Sequence, residues 1–152
     1  MRFTLLIVLL TSLLSLPATG QDLSIEEIVE KANEAYRYLG DDVKSLAHMD
    51  ISDGDGKTIM ERELVILRIN TGGLTQKWYA YFKKPADIKS MVFMAWKNDM
   101  KDDERWLYLP ALDLVKRLSG SDKRSSFAGS HFAYEDVTGR NPKDDTLSLI
   151  HI

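Results

Sequence analysis

Ser130, His131 and Asp136 place a hydroxyl, an imidazole and a carboxylate close together in the chain. These are the group types of an acyl-transfer triad, in which the imidazole takes the hydroxyl proton and the carboxylate orients the imidazole. Nearness in sequence does not supply that arrangement, and no nucleophile-elbow sequence surrounds Ser130. No catalytic residue is assigned on this basis. Asp53-Gly54-Asp55-Gly56-Lys57 resembles part of a calcium loop. With Gly56 set at the sixth position of such a loop, the first falls on Ile51 and the twelfth on Arg62, where oxygen ligands are required. A hairpin turn fits better. The histidines, His48, His131 and His151, are scattered and carry no ligand spacing, so no metal or cofactor is assigned.

Two other groups of side chains have chemistry of a softer kind. Lys116, Arg117, Lys123 and Arg124 form a local basic cluster, which reads either as a solvated sheet edge or as a contact for anionic headgroups or a membrane protein. Trp78, Phe82, Met91, Phe93, Met94, Trp96 and Trp106 are either core or the lining of an apolar groove, in which Met adapts to flexible ligands.

The elements that must carry these residues follow from periodicity. Ser24 and Glu27 have the spacing of a capping box. Ile25, Ile28, Val29, Ala32, Ala35, Tyr36 and Leu39 then recur at helical spacing, and Gly40 offers a left-handed terminator. The helix is amphipathic and must lie on something apolar. Beyond Gly40 the period changes to two. Strands are expected over 43–51, 59–69, 77–83 and 91–96, with a hairpin from 106–109 and 114–118 around Pro110-Ala111-Leu112-Asp113. One helix followed by a meander of short strands predicts an α+β fold, a curved antiparallel sheet against a helix. Several strands are apolar on both faces. A sheet wrapped around an apolar cavity explains this, and an ordinary two-layer core explains it nearly as well.

The bulk numbers set limits. The chain has 152 residues, enough for one domain, with 44% hydrophobic and 28% charged residues, which is globular composition. A formal charge of -3 gives no nucleic-acid footprint. The absence of cysteine excludes disulfides and thiolate chemistry. Met1-Arg2, the apolar run to Leu16 and Pro17-Ala18-Thr19-Gly20 have the layout of a secretory signal peptide cleaved after Gly20, and the run is shorter than the roughly 20 residues that span a bilayer. Leu147-Ser148-Leu149-Ile150-His151-Ile152 match the translated transposon end used in sequencing libraries and are read as a non-native tail, a natural apolar strand being the alternative. The expected organisation is a signal peptide at 1–20, a domain truncated at 146, and the tail at 147–152.

Trp106-Leu107-Tyr108-Leu109-Pro110-Ala111-Leu112 with Val115-Lys116-Arg117-Leu118 resembles the central signature of the LolA-like outer membrane lipoprotein-sorting family. Asp122 to Ser130 followed by Phe132-Ala133-Tyr134-Glu135-Asp136 resembles its second signature. Phe82-Lys83-Lys84-Pro85-Ala86-Asp87-Ile88 and Met91-Val92-Phe93-Met94 also fit, so that the resemblance runs from about Ile25 to Thr146. It implies an incomplete, half-open β-barrel with the N-terminal amphipathic helix on its concave face. It also implies a periplasmic, non-enzymatic carrier of acylated lipoprotein or lipid cargo, in transient contact with membranes and with an inner-membrane RND-type transporter. A lipid-sensing or protein-interaction module regulating an envelope partner is the alternative on the same fold.

Overall fold

The computed structural model describes residues 23–150; the segment read as a signal peptide lies outside them, as do His151 and Ile152. The capping box forms as the sequence requires. Glu27 N–H donates to Ser24 Oγ at 3.1 Å, and Ser24 N–H donates to the Glu27 carboxylate at 2.8 Å. Helix α1 runs Ile25–Arg37 and Tyr38 caps it, so it closes earlier than Gly40, which takes the left-handed turn that follows (φ 76°).

Six strands follow: β1 (Asp42–Ser52), β2 (Thr58–Gly72), β3 (Thr75–Lys84), β4 (Val92–Lys97), β5 (Glu104–Leu109) and β6 (Leu114–Leu118). They pair antiparallel in chain order as a meander. The Asp53 cluster is a hairpin turn, because Asp53 Oδ1 accepts from the backbone N–H of Asp55 and Lys57 at 3.1 and 2.9 Å. β1 and β6 remain edges among the described residues, so the sheet is open, as an incomplete, half-open barrel requires.

Strand alternation sorts the side chains onto two faces. Ala47, Leu64, Ile66, Ala80, Phe82, Phe93, Ala95, Leu107 and Leu118 share one face by register. This face holds the core. Its cover is the segment after β6. Phe127 and Tyr134 pack on it, with ring centroids of Phe93 and Tyr134 at 5.0 Å, Phe82 and Phe127 at 5.6 Å, and Phe127 and Tyr134 edge to face at 5.5 Å. Tyr134 opens the short helix α2 (Tyr134–Thr138). The other face carries Leu46, Leu67, Ile69, Tyr79, Trp96 and Val115, which are all exposed. Leu147–Ile150 form no regular element.

Phe93 is 0% exposed at the centre of the aromatic cluster. Phe93→Ala is expected to lower stability by about 3–5 kcal/mol through lost burial and the cavity left behind, measured by urea denaturation. At the β2–β3 bulge, Glu63 meets Lys83 at 2.9 Å and Lys84 at 3.0 Å. The hydrogen bonds from Lys83 and Lys84 hold its carboxyl at about 2, against an ordinary 4.5. A depressed folded-state value means stability that is present above pH 4.5 and lost as the pH falls towards 2. Because the lysines are solvent-exposed, the contribution is small. Glu63→Gln is expected to flatten this part of the acid limb, and wild type and variant should converge near pH 2 in urea midpoints measured against pH.

Candidate functional site

α1 lies at one end of the covered face, where the sheet's side chains change from apolar to polar. Arg68, Gln76, Lys97 and Arg105 occupy the same face as Leu64, Ala80 and Phe93, further along the strands. Arg68 and Gln76 are buried and direct donors at the end of the helix, although Arg68 Nε itself finds no partner. Arg68 donates to the Arg37 carbonyl and, at 2.8 Å, to the Leu39 carbonyl. Gln76 Nε2 reaches Arg37 O at 2.8 Å, and Trp78 Nε1 orients Gln76 from behind at 3.0 Å. Asn70 Nδ2 donates to the carbonyls of Tyr38 (2.9 Å) and Gly40 (2.5 Å). A helix ends with carbonyls that have no partner within the helix and with partial negative charge; buried cationic and amide donors satisfy both.

Lys97 and Arg105 extend the polar floor. Asp103 accepts from Arg105 at 2.7 Å and from Lys97 Nζ at 3.4 Å, while Lys97 Nζ donates to Gly139 O at 2.7 Å. Burial pushes the Lys97 ammonium below its ordinary range, and the Asp103 charge opposes that shift. Burial likewise raises the Tyr38 hydroxyl, which donates to Leu74 O at 3.0 Å. Gly139, at φ 90°, is in a conformation that L side chains rarely adopt, and a Cβ there would also displace the Arg37 guanidinium.

The rest of α1 is held loosely. None of its residues is buried. Ile25, Val29 and Asn33, one helical stripe, instead face a cavity of about 410 Å³ with Leu74, Pro142 and, from the segment read as a non-native tail, Leu147 as its other aliphatic lining; charged side chains, among them Glu26, Glu30, Lys97 and Asp103, also line it. A second cleft, of about 860 Å³, lies between β5, β6 and the segment beyond α2. It is larger, but Leu118 is its lone aliphatic lining residue and most of its charges pair with one another, as in Lys123–Asp144 at 2.8 Å and Arg140–Glu135 at 3.4 Å. The smaller cavity is therefore the candidate apolar site.

The sequence-predicted groove residues do not come together. Phe82, Met91 and Phe93 belong to the core, and Trp78 packs beside them while holding Gln76. Met94, Trp96 and Trp106 lie on the opposite face, where Trp96 and Trp106 meet edge to face at 5.2 Å and Lys77 sits 5.0 Å over Trp96. None of these residues lines the cavity. The basic cluster is also divided. Lys116 and Arg117 alternate across β6, Arg117 pairs with Glu104 at 3.4 Å, and Lys123 and Arg124 both approach Glu135. Ser130 and Asp136 serve the backbone: Ser130 Oγ donates to Phe127 O at 2.8 Å, and Asp136 accepts from Ala133 N–H at 2.7 Å. Sequence reasoning missed Arg68, Gln76, Lys97 and Asp103. The signal available was a polar residue at a core-facing strand position, Arg68 two residues after Ile66 and Lys97 two after Ala95.

An open antiparallel sheet, covered on one face and bearing a loosely seated amphipathic helix over an apolar cavity, has the architecture of a LolA-like domain. A family model described as uncharacterized protein-like matches residues 74–151, just over half of the chain. Two solved structures are similar. One is a DUF1329 family protein from Desulfovibrio piger, at 33% identity and a TM-score of 0.61, over 66% of this chain and 43% of that one. The other is a candidate outer membrane lipoprotein-sorting protein domain from Vibrio parahaemolyticus, at 27% identity and a TM-score of 0.65, over 74% of this chain and 47% of that one. The chain belongs to the LolA-like outer membrane lipoprotein-sorting family. It spans less than half the length of either structure. No curated protein matches it.

Arg68→Met removes the buried donors, leaves the Leu39 carbonyl unsatisfied and the Arg37 carbonyl with only its Gln76 bond, at a cost of about 1–3 kcal/mol. The expected result is at least about tenfold faster hydrogen exchange in α1 and residues 38–41, with protection retained in β3 and β4.

Proposed function

We propose that the chain is a periplasmic carrier, without catalytic activity, that binds acyl chains of lipoproteins or lipids for transfer from the inner membrane towards the outer membrane. One observation carries this reading: Ile25 and Val29 of the α1 apolar stripe border a cavity instead of a packed core, and Ile28, Ala32, Ala35, Tyr36 and Leu39 of that stripe are exposed. The cavity falls within the range of about 300–1,000 Å³ common to small-molecule sites. Ile25, Val29, Leu74 and Pro142 give it apolar wall, and of the charged residues that also line it Lys97 and Asp103 are paired with each other. An acyl chain is shielded by apolar surface alone. At about 0.8 kcal/mol per methylene, a long chain puts on the order of 10 kcal/mol at stake in water. The Vibrio parahaemolyticus domain, described by its lipoprotein-sorting role, supports the cargo class and the periplasm. Among the described residues no helix is long and apolar enough to cross a membrane. An RND-type inner-membrane transporter as donor, and transient membrane contact during loading, belong to the same proposal. The exposed second face of the sheet favours one other reading, a module that senses lipid and regulates an envelope partner through that face.

Native mass spectrometry of the chain purified from a bacterial periplasm tests the carrier. Co-purified phospholipid or acylated peptide is expected, reduced at least about tenfold by Val29→Glu, which puts a charge into the apolar wall, and unaffected by Leu46→Lys on the other face. A clean apo mass with no uptake of added lipid would overturn the carrier and leave the interaction module.

A further inference from the structure

We propose that His48, Asp50 and Glu61 form a surface site for a divalent transition-metal ion of the zinc type. The β1–β2 register sets Asp50 directly opposite Glu61, and His48 stands two residues from Asp50 on the same face. One ligand atom from each side chain lies within 4.8 Å of the others, and His48 Nε2 is 3.0 Å from Asp50 Oδ1. Zinc binds imidazole nitrogen and carboxylate oxygen at about 2.0–2.2 Å, which places neighbouring ligand atoms of a tetrahedral ion about 3.4 Å apart. The cluster therefore needs only a modest contraction. All three side chains are exposed, an ion would displace the proton shared by His48 Nε2 and Asp50, and water can fill the remaining position.

The charge pattern points the same way. Carboxylates directly opposite each other on paired strands repel. Two residues along β2, Glu63 is neutralised by Lys83 and Lys84. Among the described residues, Asp50 has only His48 within ion-pair distance, and no Lys or Arg pairs with Glu61. The nearby Asp53 carboxylate is committed to its own turn. An ion bound between the carboxylates would relieve the repulsion and tie the edge strand β1 to β2. The imidazole selects for zinc, copper or nickel over calcium and magnesium, which take oxygen ligands. The site lies on the uncovered face, and none of its residues lines the apolar cavity, so it stands or falls independently of the carrier reading.

The test is isothermal titration of zinc chloride into the whole chain in chelator-free buffer, on a His131→Ala, His151→Ala background that removes the other histidines. One equivalent of zinc is expected to bind, to raise the melting temperature, and to resist excess calcium. His48→Ala and Glu61→Gln should each weaken binding at least about tenfold, with the circular dichroism of the apo protein unchanged. Binding that is unaltered by His48→Ala, displaced by calcium at matching concentration, or absent from the parent protein would overturn the site.

Discussion

A sheet has two faces, and the described residues cover one of them. That constraint organises the rest of the structure. The strands of the meander bury Leu64, Ala80, Phe82, Phe93 and Ala95 in a single layer, and the cover for that layer is a short segment whose contribution rests on Phe127 and Tyr134. Aromatic residues suit this role because each buries a large area per residue and packs edge to face with its neighbours. The Phe127 ring sits within 5.7 Å of those of Phe82, Phe93 and Tyr134, so cover and sheet form one cluster. The Ser130 and Asp136 hydrogen bonds shape that cover and hold Tyr134 over Phe93. Residue types that suggested chemistry are here spent on architecture.

At the other end of the same face the layer changes character. Arg68, Lys97 and Arg105 would be costly there without partners, since an isolated buried charge is among the least favourable features of a fold. Asp103 answers two of them. Arg68 is answered by the carbonyls at the end of α1, which need donors for their own reasons. The two deficits resolve each other, and the helix is thereby fixed by its C-terminal turn. Nothing comparable holds its first two turns, where Ile25 and Val29 border the cavity. A helix anchored at one end by hydrogen bonds, and not along its length by packing, opens at a lower cost than the core does.

Much of the fold was legible in the sequence because its signals are local. The capping box needs only Ser24 and Glu27, and period-two alternation located every strand to within a few residues. The placement of the aromatics was less legible. Trp78, Phe82 and Phe93 differ from Met94, Trp96 and Trp106 in which face they take, and that depends on register with the neighbouring strand, which composition does not encode. The Arg68 clamp reaches from β2 to Arg37, Leu39 and the end of α1, and the His48–Asp50–Glu61 cluster exists only once β1 and β2 are paired. Contacts across a hairpin or between sheet and helix are invisible to a reading along the chain. The residues that do betray themselves are polar ones at apolar register positions, Arg68 foremost.

Carrying and releasing an acyl chain makes opposed demands. A cavity that shields the chain well also holds it, and release requires that some wall be able to move. A helix packed along its whole stripe would fill the cavity and leave nothing to bind. A helix with no anchor would leave its stripe in water and bind without defined geometry. Helix α1 meets neither description: the Arg68, Gln76 and Asn70 donors fix its end, and the opposite turns remain unburied. The apolar area that α1 fails to bury against protein is stability forgone by the empty chain, and it becomes available to a ligand that fills the space. Under the proposed carrier role, ligand binding and completion of the core are the same physical event, driven by the same removal of apolar surface from water.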